Sequence, residues 1–248
     1  MKKKERLDLR VLEQYPHLSR TFVHSLIMQG KVAVDGVIIT KQGTPILLTS
    51  SIVVDESVPK YVCRAGFKLE KALDFFACDV AGLVALDAGL STGGFTDCML
   101  QRNIARVYGV EVGYGQVHEK IKQDSRVVVM ERTNLRNLKS LPEVVDLVTL
   151  DLSFISVLKV MDAVVPLLKD GGKLIVLIKP QFEAEKKEVG RGGIVKNPEV
   201  HQRVQEKIIA GICAYGFEFK GVTESPIQGT MGNTEFLAYF IKIEKISI

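Results

Sequence analysis

The segment that decides the fold is residues 83–97, which reads Leu-Val-Ala-Leu-Asp-Ala-Gly-Leu-Ser-Thr-Gly-Gly-Phe-Thr-Asp. Its first four residues are apolar and predict a buried strand, and the glycines that follow predict a tight turn into a helix. Glycines at such a turn let a ligand approach the backbone closely, so we expect Gly93 to face the ligand. The segment has neither the lysine of a phosphate-binding loop nor the Gly-x-Gly-x-x-Gly pattern of dinucleotide sites. It therefore indicates a ligand without a pyrophosphate.

A second polar residue, Glu111, stands where the next strand is expected to end. It follows Val107–Val110, and a carboxylate at that place can accept hydrogen bonds from both hydroxyls of a ribose. Asp87, two residues before the first glycine, and the pair Gly93-Gly94 complete a site suited to a nucleoside. S-adenosylmethionine is the obvious nucleoside of this kind. The alternative for Glu111 is an ordinary exposed acid.

From residue 65 onward the chain alternates strand-like and helix-like stretches. The strand-like runs are Leu83–Leu86, Val107–Val110, Val127–Met130, Val144–Leu150 and Leu174–Ile178. This alternation predicts the α/β class, with a parallel sheet covered by helices on both faces. Asn197-Pro198 predicts the start of a helix that runs to about Tyr215. The last two runs, Phe217–Thr223 and Phe236–Ile243, predict an antiparallel edge.

The first part of the chain has a different pattern, typical of a small α+β domain. One helix is expected before Pro16, and Ser19 is a good N-cap for a second helix that Gly30 ends. Asp35-Gly36 predicts a hairpin. Short strands are expected at Val32–Val34, Val37–Ile39, Ile46–Leu48 and Ile52–Val54. We therefore divide the chain into a domain at residues 1–60, a connector at 61–64 and an α/β domain at 65–248.

The positive charge of the chain is concentrated near the N-terminus. Residues 1–64 contain ten Lys/Arg against six acids, whereas the remainder contains twenty-three of each. A small basic segment next to a neutral domain is typical of nucleic-acid binding. With 46% apolar and 25% charged residues, the chain as a whole has the composition of a globular protein.

Composition and patterning argue against several classes of protein. No apolar run reaches the roughly 18 residues that a membrane-spanning helix needs. The charged start, Met1–Arg6, does not resemble a secretory signal. The four cysteines show neither paired nor metal-ligand spacing, so we expect reduced thiols, no metal site and a cytoplasmic location.

Polar residues also stand at the ends of predicted strands, where an open α/β sheet binds its ligands. Asp151 and Lys179 directly follow strand-like runs, and Glu235 opens the last run. Lys68 lies on an amphipathic segment that precedes the first strand of the sheet. Each of these residues alone is compatible with an ordinary surface charge. As a set they can converge on one site.

Spaced residues in the first domain resemble the RNA-binding module named after ribosomal protein S-four. The resemblance spans about residues 5–56, and its residues are Arg6-Leu7-Asp8, Ser19-Arg20, Leu26-Ile27, Gly30-Lys31-Val32, Val34-Asp35-Gly36 and Lys41. It implies that cations near one helix–hairpin face bind phosphates of structured RNA. The implied RNA-binding residues are Arg6, Arg20, Lys31 and Lys41, with Arg64 in the connector. The alternative is a solvated basic surface.

Lys68, Asp151, Lys179 and Glu235, together with the turn at residues 86–97, resemble the Lys-Asp-Lys-Glu tetrad of FtsJ-like ribose 2′-O-methyltransferases. With the first domain included, the chain is similar to the TlyA (hemolysin A) family of ribosomal RNA methyltransferases. Further matching stretches are Arg64–Leu69, Gly113–Gln116, Glu131–Asn134, Lys179–Glu183, Gly192–Val195 and Gly232–Leu237. The sequence departs from the family at Leu90, where Ala is usual, and at Glu111, where Asp is common.

The resemblance implies a Rossmann-like methyltransferase sheet that binds S-adenosylmethionine and acts on ribosomal RNA. The implied cofactor-binding residues are Asp87, Gly89, Ser91, Thr92, Gly93, Gly94, Phe95, Glu111, Asn134 and Asp151. The implied general base for the ribose hydroxyl is Lys179, with Lys68, Asp151 and Glu235 as orienting partners. A lysine is a base only as the neutral amine. A nearby cation and partial burial lower the pKa of a lysine and nearby carboxylates oppose this, so the sequence leaves open which effect wins.

The resemblance also suggests a target, a cytidine in large-subunit RNA, with a small-subunit cytidine as a second candidate. Alternatives are a non-catalytic factor for ribosome assembly, a membrane-active cytolysin, as the second family name suggests, and a base methyltransferase. A base methyltransferase would typically carry an Asn-Pro-Pro-Tyr-like motif where this chain has Asp151–Phe154. The glycine-rich stretch 182–196 is predicted to be a lid or a substrate-contact loop, with simple disorder as the alternative. The oligomeric state stays open.

Overall fold

A computed structural model of the protein describes residues 3–57, 59–229 and 232–244. The chain divides into two compact units, Met1–Arg64 and Ala65–Ile248. Each unit has a hydrophobic core of its own.

The first unit packs two helices against short antiparallel strands. Its elements are β1 (Lys4–Arg6), α1 (Leu7–Gln14), α2 (Arg20–Met28), β2 (Val32–Val34), β3 (Val37–Ile38), β4 (Pro45–Leu47) and β5 (Ile52–Val54). The strands β3, β2 and β5 form one sheet, and β1 pairs with β4. The Ser19 hydroxyl accepts a hydrogen bond from the Phe22 backbone N–H at 3.2 Å, so the predicted N-cap of α2 is confirmed.

The core of the first unit is formed by one apolar face of each helix. Leu7 and Val11 of α1 and Val23, Leu26 and Ile27 of α2 are fully buried, at the three- and four-residue spacing of a helix face. The strand β1 was not predicted, because its Lys-Glu-Arg sequence carries no apolar pattern. It exists through backbone pairing with β4 instead.

The second unit is a seven-stranded sheet with helices, in the strand order β11-β12-β10-β9-β6-β7-β8. Its elements are α3 (Ala65–Phe75), β6 (Val84–Ala88), α4 (Gly94–Gln101), β7 (Arg106–Val110), α5 (Glu119–Gln123), β8 (Val127–Met130), β9 (Val145–Leu150), α6 (Met161–Leu167), β10 (Leu168–Ile178), α7 (Pro180–Glu183), α8 (Pro198–Cys213), β11 (Phe217–Glu224) and β12 (Phe236–Lys242). The strands from β6 to β10 run parallel, and β12 lies antiparallel between β10 and β11. The predicted α/β class and its antiparallel edge are confirmed.

The strand order places the site. The strand β6 has β7 on one side and β9 on the other, so the chain winds outward in both directions from β6. A crevice opens at the carboxyl ends of the strands where such a reversal occurs. The central strands are rich in apolar residues because both faces of the sheet are covered, and Leu86, Val148 and Leu174 are fully buried.

The stretch 182–196 is more ordered than its sequence pattern indicated. Lys186–Glu188 forms a 3₁₀ turn that is closed by a capping box between Glu185 and Glu188, and Gly190 pairs with Ile194 in a single β-bridge. These short-range hydrogen bonds leave no periodic apolar signal. Its role as a lid or contact loop stays a prediction. In the described ranges, no helix is both long enough and apolar enough to cross a membrane.

Candidate active site

The first of two ion pairs at the carboxyl edge of the sheet joins Lys179 to Asp151. Lys179 directly follows β10 and Asp151 directly follows β9, and Nζ of the lysine lies 2.6 Å from Oδ1 of the aspartate. The pairing of β9 with β10 as parallel neighbours brings their ends, and hence these side chains, together. Lys179 also donates to the Ser153 hydroxyl at 3.0 Å.

The second ion pair joins Lys68 of α3 to Glu235, the residue before β12. Nζ of Lys68 lies 2.5 Å from Oε2 of Glu235, and the two side chains are only 9% and 2% exposed. In the register of β10 and β12, Ile178 faces Phe236, so Lys179 and Glu235 occupy the same end of the sheet. The four residues predicted as a set therefore form two ion pairs at one edge.

The space for the Glu235 carboxylate depends on Gly229. A Cβ at Gly229 would lie 2.0 Å from Oε1 of Glu235, so any side chain at this position would displace the carboxylate. The Gly229 N–H donates to the Asn233 carbonyl at 2.8 Å, which fixes this close approach. Glycine is thus required here for the absence of a side chain.

The buried side chain of Asp87 stabilises the glycine turn through hydrogen bonds. Its side chain is 1% exposed, and its two oxygens accept hydrogen bonds from the hydroxyls of Thr149 at 2.8 Å and Thr96 at 2.7 Å. Burial disfavours the charged form and raises the pKa of Asp87 to about 6, although the two hydroxyls act in the opposite direction. The carboxylate therefore joins the end of β6 to β9 and to the start of α4.

Gly89 brings the glycine turn into contact with the backbone of Asp151. It has a φ of +86°, and a Cβ would lie 2.3 Å from the Asp151 carbonyl oxygen. The Asp151 N–H also donates to the Ala88 carbonyl at 3.0 Å. The turn predicted to hold the cofactor and the aspartate predicted to act in catalysis are thus one connected structure.

The side-chain position of Gly93 faces α5, and the expected approach of a ligand to its backbone stays a prediction. Its φ of +99° is the left-handed conformation that glycine favours, but a Cβ there would meet Ile121 of α5 at 2.8 Å. The His118 N–H donates to the Thr92 carbonyl at 3.1 Å, and Lys120 forms an ion pair with the buried Asp97. The missing side chain of Gly93 therefore lets α5 pack against the turn.

Glu111 is placed as predicted at the end of β7, and it is 8% exposed. Its Oε2 accepts a hydrogen bond from the Ser91 N–H at 2.8 Å, and its Oε1 accepts one from the Gly113 N–H at 2.7 Å. Leu90, the unusual residue of the turn, points into the sheet, where Gly109 has no Cβ to obstruct it.

The donor and acceptor set of this site fits S-adenosylmethionine. A carboxylate offers about four acceptor positions, and the two backbone donors leave Glu111 able to accept from two ribose hydroxyls. Asn134 follows the neighbouring strand β8, and its Oδ1 caps a short turn through the Arg136 N–H at 3.1 Å. Phe95 is 3% exposed, so its side chain packs inside the protein. Among the described residues, no group of His, Cys, Asp or Glu is arranged to hold a metal ion.

In the first unit, Arg6 and Lys31, both predicted to bind RNA, form hydrogen bonds within the unit. Arg6 donates to both oxygens of Asp8 at 2.9 Å, and Asp8 is fully buried. The hydrogen bond from Arg6 is the main reason why the pKa of Asp8 falls to about 2. Lys31 donates to the Ser57 carbonyl at 2.8 Å. Arg20 and Lys41 are exposed on the same unit.

The sequence patterns did not indicate several residues of the site. Ser153 and Gly229 are described above, and Gln181 donates through Nε2 to Oε1 of Glu235 at 3.4 Å. Phe154 is 90% exposed, has a φ of +64°, and its ring lies 5.0 Å from that of Phe182. Phe154 stands three residues after Asp151, but neither its exposure nor its positive φ is visible in the sequence.

Two family models match the chain. An FtsJ-like methyltransferase model matches residues 61–242, and an S4 domain model matches residues 5–50. The match to the methyltransferase model covers well over half of the chain.

Curated relatives and solved structures extend the match over nearly the whole chain. The 16S/23S rRNA (cytidine-2′-O)-methyltransferase TlyA of Mycobacterium tuberculosis is 40% identical over 96% of this chain and 90% of its own length. Hemolysin A of Brachyspira hyodysenteriae is 38% identical over 93% of this chain and 99% of its own. A solved protein of Streptococcus thermophilus, provisionally described as a hemolysin, is 38% identical with a TM-score of 0.77, over 99% of this chain and 90% of that chain.

A more distant structure shows the fold alone. The N-methyltransferase NodS of Bradyrhizobium japonicum WM9, solved with S-adenosyl-L-homocysteine, has a TM-score of 0.51 at 17% identity, over 76% of this chain and 90% of that chain. The resemblance drawn from the motifs is confirmed by the family models and by the relatives. The chain therefore belongs to the TlyA (hemolysin A) family, in which an S4 domain precedes an FtsJ-like methyltransferase domain.

Proposed function

We propose that this protein transfers a methyl group from S-adenosylmethionine to a ribose 2′-hydroxyl of ribosomal RNA. The observation that carries the proposal is the double ion pair, Lys179–Asp151 and Lys68–Glu235, at the sheet edge that also holds the glycine turn. A ribose hydroxyl is a weak nucleophile at neutral pH, so the reaction needs a positioned base and an aligned hydroxyl. The two lysines, each held by a carboxylate, are proposed to supply the positioned base and to align the hydroxyl.

Lys179 is the proposed general base. Asp151 and Ser153 fix the position of its Nζ, and its side chain is 11% exposed. In its neutral form, Lys179 would take the proton of the ribose hydroxyl as the ribose oxygen accepts the methyl group, and Asp151 would hold the ammonium group that results. S-adenosylmethionine supplies the electrophilic methyl group when bound. Lys68 and Glu235 are proposed to orient the hydroxyl for this displacement.

The proposed cofactor contacts are divided between side chains and backbone. Glu111 is proposed to accept hydrogen bonds from the ribose hydroxyls of the cofactor. The backbone of the turn from Gly89 to Gly94, including Ser91 and Thr92, is proposed to lie against the cofactor. Asn134 and Asp151 are proposed to contact it from the neighbouring strand ends. Asp87, Gly93 and Phe95 act by shaping the turn, since their side chains or missing side chains point into the protein.

The proposed target is a cytidine of large-subunit RNA. Support comes from the name of the M. tuberculosis relative, which acts on cytidines of both 16S and 23S rRNA. Residues 1–60 are proposed to bind RNA through Arg20 and Lys41, with contributions from Arg6, Lys31 and, in the connector, Arg64. Residues 61–64 are proposed to connect the two domains, and residues 65–248 are proposed to carry out the methyl transfer. Because the substrate is part of the ribosome, the proposed place of action is the cytoplasm.

The stretch 182–196 is proposed to contact the RNA. It begins three residues after Lys179 and carries Arg191 and Lys196, whose side chains are exposed. Exposed cations beside a strand-end site suit the phosphates that flank a target nucleotide.

The experiment is incubation of the purified protein with ribosomal subunits and S-adenosylmethionine labelled in its methyl group. We expect labelled 2′-O-methylcytidine in the large-subunit RNA, and mapping of the small-subunit RNA in the same assay tests the second target. RNA binding without methyl incorporation would instead support a non-catalytic assembly factor. Label on a base would support a base methyltransferase, and lysis of vesicles without incorporation would support a cytolysin.

A further inference from the structure

Gln181 lies between the two ion pairs of the candidate site. It is the second residue of α7, two positions after Lys179, and its Nε2 donates to Oε1 of Glu235 at 3.4 Å. The other oxygen of Glu235 accepts from Lys68 at 2.5 Å. Gln181 thus joins the segment that carries Lys179 to the pair formed by Lys68 and Glu235.

The orientation of the Gln181 amide follows from its partner. A carboxylate is an acceptor only, so the amide nitrogen must face Glu235, and turning the amide over would place two acceptors against each other. The amide oxygen is buried and has no hydrogen-bond partner within the described ranges of the chain.

An unpaired buried acceptor destabilises a fold, and an apolar side chain of similar length, such as methionine, would avoid that cost. The glutamine therefore gives the fold no evident advantage through its oxygen. Its remaining distinctive property is the N–H donor that it offers to Glu235. Hydrogen bonds of catalytic groups are commonly long without substrate and shorten in the reacting complex, so the 3.4 Å contact fits such a role.

We propose that Gln181 is a positioning residue, whose amide N–H holds the Glu235 carboxylate in the orientation that serves Lys68 and the target ribose. This inference rests on the proposed methyl transfer. Gln181 acts through Glu235 and not on the methyl group, so its loss should lower the rate of transfer without weakening the binding of cofactor or RNA. Glu235 forms its ion pair with Lys68 on α3, and the pair formed by Lys179 and Asp151 lies at the same end of the sheet.

The first variant, Gln181→Met, keeps the length of the side chain and removes the donor. We expect kcat to fall roughly tenfold, the loss of one hydrogen bond to a charged group, with KM for ribosomal RNA and the Kd of S-adenosylmethionine within about twofold of wild type. The matched control is Gln205→Met on α8, where a partly buried glutamine donates to the His201 carbonyl at 3.3 Å, outside the site. The control should leave all three constants unchanged.

The second variant, Gln181→Glu, has the same shape and separates positioning from packing. Two carboxylates then face each other, and they repel unless one of them is protonated and becomes a donor. We expect the ratio of variant to wild-type kcat to rise as the pH is lowered from 8 to 6. A role in packing alone would give a ratio that does not change with pH.

The outcomes separate this inference from the proposed function. If the wild-type protein methylates no ribose, the proposed function fails. If the wild-type protein is active and Gln181→Met retains full kcat, or if Gln181→Glu gives a pH-independent ratio, the positioning role of Gln181 is overturned. Melting temperatures of all variants near that of wild type would establish that the comparison is made between folded proteins.

Discussion

At the scale of single residues, the site is shaped by missing side chains as much as by present ones. Gly89 allows the glycine turn to touch the backbone of Asp151, and Gly229 leaves room for the carboxylate of Glu235. Gly109 leaves room for Leu90, so the residue that departs from the family pattern is accommodated in the sheet. Close approach of backbone to a functional group is a use that only glycine serves.

Replacing Lys179 tests the proposed base. We expect Lys179→Ala to lower the rate of methyl transfer by at least ~100-fold, which is the usual contribution of a general base. The Kd of S-adenosylmethionine, measured by calorimetry, should change little, because Lys179 is not itself one of the proposed cofactor contacts. Substantial residual turnover in the variant would remove Lys179 from the mechanism.

Replacing Gly229 tests the steric argument. We expect Gly229→Ala to displace the Glu235 carboxylate from Lys68 and to lower kcat/KM by roughly 100-fold, the effect of a misplacement of about 1 Å in a catalytic site. The matched control is Gly43→Ala in the first unit, where a Cβ would make an ordinary contact of 3.8 Å. Unchanged kcat/KM in a folded Gly229→Ala variant would show that Glu235 has another stable position.

At the scale of secondary-structure elements, the sheet was predictable because its signal is local. The runs that became β6, β7, β8, β9 and β10 are largely apolar, and the predicted residues at their ends do meet at one edge. The packing of α5 against the glycine turn was not predictable. It depends on a contact between Ile121 and Gly93, which are far apart in the sequence, and periodic patterns indicate only local structure. Gln181 and Gly229 were missed for the same reason, since their roles depend on partners more than fifty residues away or on a side chain that is absent.

The junction of β6, β9 and α4 at Asp87 should make stability depend on pH. The pKa of Asp87 is raised from 3.8 to about 6 in the folded protein, so folding favours the protonated form. The stability that this group contributes is complete below about pH 4 and is lost as the pH rises through about 6. The loss amounts to about 3 kcal/mol at neutral pH, at 1.36 kcal/mol per pKa unit.

The variant Asp87→Asn isolates this dependence. The asparagine amide can still accept from one threonine hydroxyl and donate to the other, but it carries no charge at any pH. The unfolding free energies of both proteins are to be measured by urea denaturation between pH 4 and 7. As the pH rises, we expect the unfolding free energy of wild type to fall relative to that of the variant. Parallel curves over this range would mean that Asp87 stays uncharged or is better solvated than its burial indicates.

At the scale of the whole molecule, the proposed roles of the two units agree with the distribution of charge. The surplus of four positive charges lies within residues 1–64, and the remainder is neutral. Arg6 is exposed, like Arg20 and Lys41, but it also forms an ion pair with the buried Asp8, so replacing Arg6 should destabilise the unit. A test of RNA binding should therefore use Arg20 and Lys41.

We expect Arg20→Ala with Lys41→Ala to weaken RNA association and to flatten its salt dependence, measured as Kd against ribosomal RNA at several salt concentrations. Each phosphate contact that is lost should reduce the slope of log K against log salt by roughly 0.7–0.9. The Kd of S-adenosylmethionine should not change, because Glu111 and the glycine turn lie in the second unit.

A chain that begins at Tyr61 retains the complete sheet and its core, so it should bind the cofactor but methylate ribosomal RNA only slowly. Full methylation by that shortened chain would show that the catalytic unit finds its target unaided, and the assignment of RNA binding to the first unit would then be wrong.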